Sequence, residues 1–219
     1  MLRFRLLPFV LFALPLTAQE ATVEATVDEG IAVSSALQPG LVKFPVMATF
    51  DDRGRLYVAE NAGVNLNKEE LLKVLPGSIK RLEDTDKDGV FDKATLFADK
   101  MTFPQGALWV YDSLYVMSPP SLWRLADEDG DGRAEVREEL ATGFDFTGNA
   151  ADVHGPFLHP NGRLYWCHGR KGFLIRDSDT GQVMEQGKSA RIWSSQLSGG
   201  EVESFAGGGL DNPVEIDFT

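Results

Sequence analysis

Two acidic loops of nearly the same sequence lie 43 residues apart in this chain of 219 residues. The first, at residues 84–89, is Asp-Thr-Asp-Lys-Asp-Gly, and the second, at residues 127–132, is Asp-Glu-Asp-Gly-Asp-Gly (127 − 84 = 43). An arginine stands three positions before each leading aspartate, as Arg81 and Arg124. Internal similarity with a period of about 40 to 50 residues is typical of repeat architectures. The repeating unit is therefore predicted to be a strand, an acidic turn and a second strand.

Residues 1–18 have the pattern of a secretory signal peptide. Arg3 and Arg5 form a basic start, an apolar stretch follows at residues 6–16, and the small residue Ala18 stands at a cleavage position. The apolar stretch is short for a bilayer span, which needs about 20 residues; an uncleaved anchor is the alternative. We therefore expect an exported protein, periplasmic or extracellular, with no membrane span after signal cleavage.

The charge and the single cysteine exclude some partners and cross-links. The formal net charge is −12, and removing residues 1–18, which hold two arginines and no acid, makes it −12 − 2 = −14. So negative a surface repels nucleic acid, and no nucleic-acid partner is expected. Cys167 has no second cysteine to pair with and is predicted to be a buried apolar residue. The polar residues 19–41 predict a flexible lead-in.

Short β runs separated by turns begin near residue 42. Hairpins are predicted at residues 45–60, 105–116 and 155–167, each followed by a second hairpin at 78–97, 121–141 and 190–206. A fourth inner strand is predicted at 213–218. The one helix is predicted at residues 67–74, where Asn67 is the N-cap and Glu70 completes a capping box.

Four strands per unit, repeated radially, is the arrangement of a β-propeller. The sequence thus predicts an all-β fold at residues 42–219, with about three four-stranded blades and the first strand of a fourth. Because propellers have roughly four to eight blades, we expect this chain to be the N-terminal portion of a larger, truncated propeller.

The acidic loops have the ligand chemistry of calcium sites. Calcium prefers hard oxygen ligands, and alternating aspartates followed by glycine supply them on a sharp turn. The candidate ligands are Asp84, Asp86, Asp88 and Asp92 in the first loop and Asp127, Asp129, Asp131, Glu135 and Glu138 in the second. Glu138 falls at position 12, where a bidentate ligand belongs, so the second loop is predicted to bind more tightly. The alternative is an ordinary solvated turn, since Asp and Gly favour turns for backbone reasons.

The loops that enter the inner strands of a propeller converge on one mouth of its channel. Residues 102–105, 152–154 and 211–212 occupy those positions here. His154 is the one group among them that titrates near neutral pH, so it is the candidate general base. The alternative is a hydrogen-bonded structural histidine at the start of a strand.

Several motifs resemble the glucose/sorbosone dehydrogenase group of propellers that use pyrroloquinoline quinone (PQQ). They are His154-Gly155, the run from His159 to Tyr165, and residues 208–213, Gly-Gly-Leu-Asp-Asn-Pro. More closely, residues 44–219 resemble the propeller module of large secreted bacterial membrane-bound dehydrogenases, in which a cytochrome c domain often follows. The resemblance implies His154 as general base, Asn212 and Gln105 as quinone contacts, and PQQ as cofactor. It also implies a small sugar or alcohol as substrate.

Two functions follow from these residues. The first is an exported quinoprotein dehydrogenase in which His154 removes a hydroxyl proton. The second is a non-catalytic secreted propeller that binds a glycan or a protein partner. Asp211 favours the second function, because the related propellers have an arginine there and an aspartate would repel quinone carboxylates.

Overall fold

The computed structural model describes residues 26–177 and 180–219, so the predicted signal peptide lies outside the described residues. The chain divides into two compact units, Met1–Ser34 and Ser35–Thr219. In the described part of the first unit, a turn is closed by a hydrogen bond from the backbone N–H of Ile31 to Asp28 O, at 3.1 Å. The second unit contains all the described strands. Across the described ranges, no helix is long and apolar enough to cross a membrane.

Three four-stranded antiparallel sheets form the second unit, together with one separate hairpin. The first sheet has the order β1 (Pro45–Phe50), β2 (Leu56–Glu60), β3 (Gly77–Glu83) and β4 (Lys93–Met101). The second sheet has the order β5 (Gly106–Val110), β6 (Ser113–Ser118), β7 (Ser121–Ala126) and β8 (Val136–Thr142). The third sheet combines β9 (Val153–Leu158), β10 (Arg163–His168), β13 (Arg191–Gln196) and β14 (Glu203–Gly207). These three blades confirm the predicted propeller-like all-β fold.

Two elements are inserted between blade strands. Helix α1 (Lys68–Val74) follows β2, and its N-terminus has the predicted capping box, in which Asn67 and Glu70 each accept from the other's backbone N–H. The hairpin of β11 (Phe173–Arg176) and β12 (Val183–Gly187) lies between β10 and β13 and was not predicted from the sequence.

The first and second blades each pack one face against the next blade through a tyrosine of the second strand. Tyr57 of β2 stacks on Trp109 of the second blade, with ring centroids 5.1 Å apart. Tyr115 of β6 belongs to the buried cluster that joins the second blade to Trp166 and Trp193 of the third. Residues of a strand alternate between the two faces of the sheet. The side chains on the facing sides of neighbouring blades therefore form two extended cores of aromatic and aliphatic residues.

The open face of the first blade is covered by the segment just before β1. Ala36 O accepts from Phe91 N at 2.9 Å, Gln38 N donates to Phe91 O at 2.9 Å, and Leu41 O accepts from the ammonium group of Lys80 at 2.7 Å. Residues 36–41 therefore hold fixed contacts, where the sequence predicted a flexible lead-in.

The fourth inner strand predicted at residues 213–218 is absent, which corrects that part of the fold prediction. This segment has the alternating apolar pattern of a strand, but a strand also needs a hydrogen-bonded partner, and the described chain supplies none there. Instead, Phe218 lies against the open face of the third blade, with its ring 5.4 Å from Tyr165 and 4.5 Å from His159.

Candidate functional site

The second acidic loop brings four predicted ligands together. Carboxylate oxygens of Asp127, Asp129, Asp131 and Glu135 all lie within 4.8 Å of one another. The backbone organises them: Asp127 accepts from the N–H groups of residues 130 and 132, at 2.8 and 2.9 Å, and Asp129 accepts from residue 131 at 3.0 Å. The loop therefore collects hard oxygen donors of the kind that calcium prefers.

The first acidic loop repeats this geometry with three carboxylates. Asp84, Asp86 and Asp88 have oxygens within 4.8 Å of one another. Asp84 accepts from the N–H groups of residues 87 and 89, at 2.7 and 2.9 Å, the same two offsets as in the second loop. Asp92 is turned toward Thr85, whose N–H and hydroxyl donate to it at 3.0 and 2.6 Å, and these hydrogen bonds lower the pKa of Asp92.

Glu138 does not join the second cluster. Its carboxylate pairs with Arg124 at 3.2 Å, across the ladder between β7 and β8 in which these two residues are direct partners. The physical reason is the element that follows the loop. An exit helix would turn position 12 back toward the ion, whereas strand β8 carries it away along the sheet.

Both loops form the junction of a blade with the segment before it. In the second loop, Ala134 N donates to Phe97 O of β4 at 2.8 Å, and Arg81 of β3 donates to Asp127 at 3.2 Å. In the first loop the equivalent donor is Phe91 (134 − 91 = 43), which bonds to Ala36 as described above. Residues 36–38 thus take the place that the last strand of a preceding blade takes elsewhere. Ordering of the second loop is coupled to the contact between two blades.

Among the first strands of the three blades, β5 contacts both β1 and β9, as an inner strand between two neighbours should. Gln105, just before β5, is 6% exposed and uses both ends of its amide within the chain. Its nitrogen donates to Asn149 O at 2.8 Å, and its oxygen accepts from Val153 N at 3.2 Å. Gln105 therefore joins the second blade to the loop before β9, and these two bonds account for both polar groups of its side chain.

His154 is half-buried at the start of β9, and its Nε2 is bonded to Ala150 O. Asp152 does not orient this ring. Its carboxylate accepts instead from the backbone N–H groups of residues 147–149, at 2.7 to 2.9 Å. With Nε2 donating to a carbonyl, Nδ1 is the basic nitrogen that His154 offers.

Asn212 is exposed, and the aspartate before it is paired. Asp211 forms an ion pair with Arg170 at 2.8 Å, with both side chains 72% exposed. Arg170 thus brings a guanidinium next to Asp211, the position where the resemblance described above implies an arginine. The sequence analysis missed this pairing, because 41 positions separate the two residues (211 − 170 = 41).

Two other candidate reactive residues, His168 and Cys167, are buried away from solvent. His168 is fully buried and its Nε2 donates to Asp145 O at 3.0 Å; burial lowers the pKa of His168. Cys167 is fully buried, which raises the pKa of its thiol to about 12. The placement of Cys167 agrees with the buried apolar residue predicted from the sequence.

A family model described as "Domain of unknown function (DUF7133)" matches residues 17–210 of the chain. No curated protein matches the chain. Among solved structures, a chain titled "Luciferin-regenerating enzyme" is 11% identical to it, with a TM-score of 0.42, over 78% of this chain and 64% of that chain. The present chain therefore matches less than two thirds of the length of that structure, and the likeness is too distant to bear on function.

Proposed function

This chain belongs to the family described as domain of unknown function DUF7133, and we propose that it works as a calcium-binding, non-catalytic β-propeller module of an exported protein. The observation that supports calcium is the cluster of Asp127, Asp129, Asp131 and Glu135 within 4.8 Å. Four carboxylates at this separation repel one another strongly unless a cation lies among them. The signal-like residues 1–18 support export.

Within the described ranges, Arg81 is the one cation that forms an ion pair with this cluster, and it leaves room for a metal ion. Its guanidinium reaches one oxygen of Asp127 at 3.2 Å and also pairs with Glu83 at 3.4 Å. One positive charge does not balance four carboxylates, and each carboxylate oxygen has more than one lone pair. Calcium would therefore add to this arrangement and would tighten the junction between the first two blades.

The test is a calcium titration followed by calorimetry and thermal unfolding. A ligand that binds only the folded state stabilises it by about 2.7 kcal/mol at 100 times its Kd. We expect the variant D129N/D131N to lose most of this stabilisation, and D86N/D88N a smaller part, because the first loop gathers one carboxylate fewer. Magnesium should give a weaker response, since it demands stricter octahedral geometry.

Glu138→Gln is the matched control, because it removes an acid of the same repeat that lies outside the cluster. Its calcium response should equal that of the wild type. An unchanged response in D129N/D131N would mean that the loops are ordinary turns. A lost response in Glu138→Gln would mean that the loop closes around the ion differently from the geometry described above.

A second function, PQQ-dependent oxidation of a sugar or alcohol hydroxyl, is favoured by one observation. Arg170 lies 2.8 Å from Asp211, so the charge that would repel quinone carboxylates is offset by a guanidinium. PQQ, when bound, would supply the hydride acceptor; Asn212 and Arg170 would hold it, and Nδ1 of His154 would accept the hydroxyl proton. The two hydrogen bonds of Gln105 within the chain are the reason why we place this function second.

Calorimetry with PQQ separates the two functions without relying on activity. Wild-type binding at micromolar Kd, about 8 kcal/mol, weakened in Arg170→Gln, would establish the quinone site. His154→Gln should then leave PQQ affinity unchanged and lower dye-coupled aldose oxidation by roughly 10²- to 10⁴-fold. Absence of PQQ binding would leave the non-catalytic module.

A further inference from the structure

The two insertions that a four-stranded blade does not need border the same cavity. Helix α1 contributes Lys68, the loop between β10 and β11 contributes Lys171, and the loop between β12 and β13 contributes Lys188. Phe144 and Phe173, which are partners in an antiparallel bridge, form part of the lining. The volume is about 380 Å³, within the range of small-molecule sites. Blade architecture does not explain why these separate additions meet here.

The cavity is positive in a strongly negative chain. Lys68 pairs with Asp145, the only acid among the described residues of the lining. Burial raises the pKa of Asp145, but the hydrogen bonds from Lys68 and the backbone outweigh it, so the net shift is downward. The side-chain ammonium groups of Lys171 and Lys188 have no hydrogen bond or ion pair within residues 26–177 and 180–219. Two uncompensated positive charges therefore remain at one opening, although the whole chain carries −12.

The walls of the cavity are fixed by backbone hydrogen bonds. Asp145 N donates to Gly172 O at 2.8 Å, and Leu174 N donates to Gly143 O at 2.9 Å. Gly143 has φ +106°, and a Cβ there would lie 2.1 Å from Leu174 O, so only glycine fits this approach. A site whose walls are ordered before binding loses less conformational entropy on binding.

We propose that this cavity binds a small sugar that carries one oxyanion, a carboxylate, sulfate or phosphate ester, held between Lys171 and Lys188. The lysine ammonium groups supply charge-assisted hydrogen bonds to the anion. Pro120 and Leu174, which are partly exposed in the lining, supply apolar surface for the rest of the molecule, while Phe144 and Phe173 are buried beneath it. This site is separate from the acidic loops, so it does not depend on calcium.

Four probes that share one sugar test the proposal: glucose 6-phosphate, glucose 6-sulfate, glucuronate and neutral glucose. Calorimetry on the full chain at low salt should give a sub-millimolar Kd for at least one charged probe, and identify which anion is preferred. Neutral glucose should bind the wild type at least about tenfold more weakly than the best charged probe. That probe should lose affinity by the same factor for K171Q/K188Q, which is the loss expected for charge-assisted hydrogen bonds. Binding should persist when calcium is chelated.

The matched control is K43Q/R53Q, which also removes two positive charges, but from exposed positions outside the cavity. Its affinity should remain within about twofold of the wild type, and thermal unfolding checks that both variants fold. The proposal is overturned if no charged probe binds at millimolar concentration, or if glucose binds equally well. It is also overturned if K171Q/K188Q binds like the control, or if inorganic phosphate binds as tightly as the best sugar.

Discussion

Asp152 should show a large loss of stability for a very small chemical change. Its side chain is buried, with 1% of the residue exposed, and it holds the loop before β9. One carboxylate oxygen accepts from the N–H and the hydroxyl of Thr147, at 2.8 and 3.0 Å. The other accepts from the N–H groups of Gly148 and Asn149, at 2.7 and 2.9 Å. Asp152→Asn places an NH₂ donor where an acceptor is needed.

The expected cost follows from these four hydrogen bonds. In the best arrangement the new NH₂ faces Thr147, whose hydroxyl turns to accept, while the backbone N–H of Thr147 loses its acceptor. Losing a hydrogen bond to a charged acceptor costs about 1.5–3 kcal/mol. The two bonds to the remaining oxygen weaken by roughly 0.5 kcal/mol each, because they are no longer charge-assisted. We therefore expect a loss of about 3 kcal/mol in the free energy of unfolding, against roughly 5–15 kcal/mol for a typical domain.

Guanidinium unfolding measures this loss as a shift in midpoint at constant slope. Asp112→Asn is the matched control, because Asp112 is exposed in the β5–β6 turn with φ 59°, a conformation that asparagine tolerates. The control should stay within about 0.5 kcal/mol of the wild type. If Asp152→Asn unfolds at the same midpoint as the control, the carboxylate does not hold the loop and the reasoning fails.

Three further predictions concern backbone approach, pH and thiol reactivity. Gly106→Ala should cost about 3 kcal/mol or more, because its Cβ would lie 1.6 Å from Gly155 O, whereas Gly209→Ala meets nothing within 4 Å and should be nearly neutral in thermal unfolding. Burial lowers the pKa of His168 from 6.5, so the stability that its neutral ring contributes is present above pH 6.5 and is lost as the pH falls below it. The free energy of unfolding should therefore depend less steeply on pH below 6.5 in His168→Gln than in the wild type. An equally steep dependence in the variant would contradict the assignment. With a pKa of about 12, on the order of 10⁻⁴ of the Cys167 thiol is ionised at pH 8, so a disulfide reagent should label it only after unfolding.

The strands and the helix could be predicted because their signals are local. Alternation over five or six residues and a turn such as Asp51–Gly54 define a hairpin without knowledge of the rest of the chain. Asn67 and Glu70 define the start of α1 in the same way. The acidic loops also use local backbone hydrogen bonds, which is why the sequence identified all seven carboxylates of the two clusters.

The remaining features depend on contacts between distant segments. Whether Glu138 reaches its loop depends on the direction of β8, and whether residues 213–218 form a strand depends on a partner elsewhere. Gln105 was placed correctly before an inner strand, but only the fold shows that Asn149 and Val153 use its amide. The lysines of the cavity lie at 68, 171 and 188, a spacing with no sequence pattern.

The tyrosine near the start of the second strand of each blade has an evolutionary consequence. Leu-Tyr occurs at residues 56–57, 114–115 and 164–165. In the first two blades the tyrosine ring lies on the face that meets the next blade, and in the third blade it lies against Phe218. The three blades therefore present the same kind of surface on this face. A gene duplication or an unequal crossover that adds or removes a whole blade would create junctions of the same type. Blade number in this lineage can therefore change by recombination, without new interface mutations having to arise first.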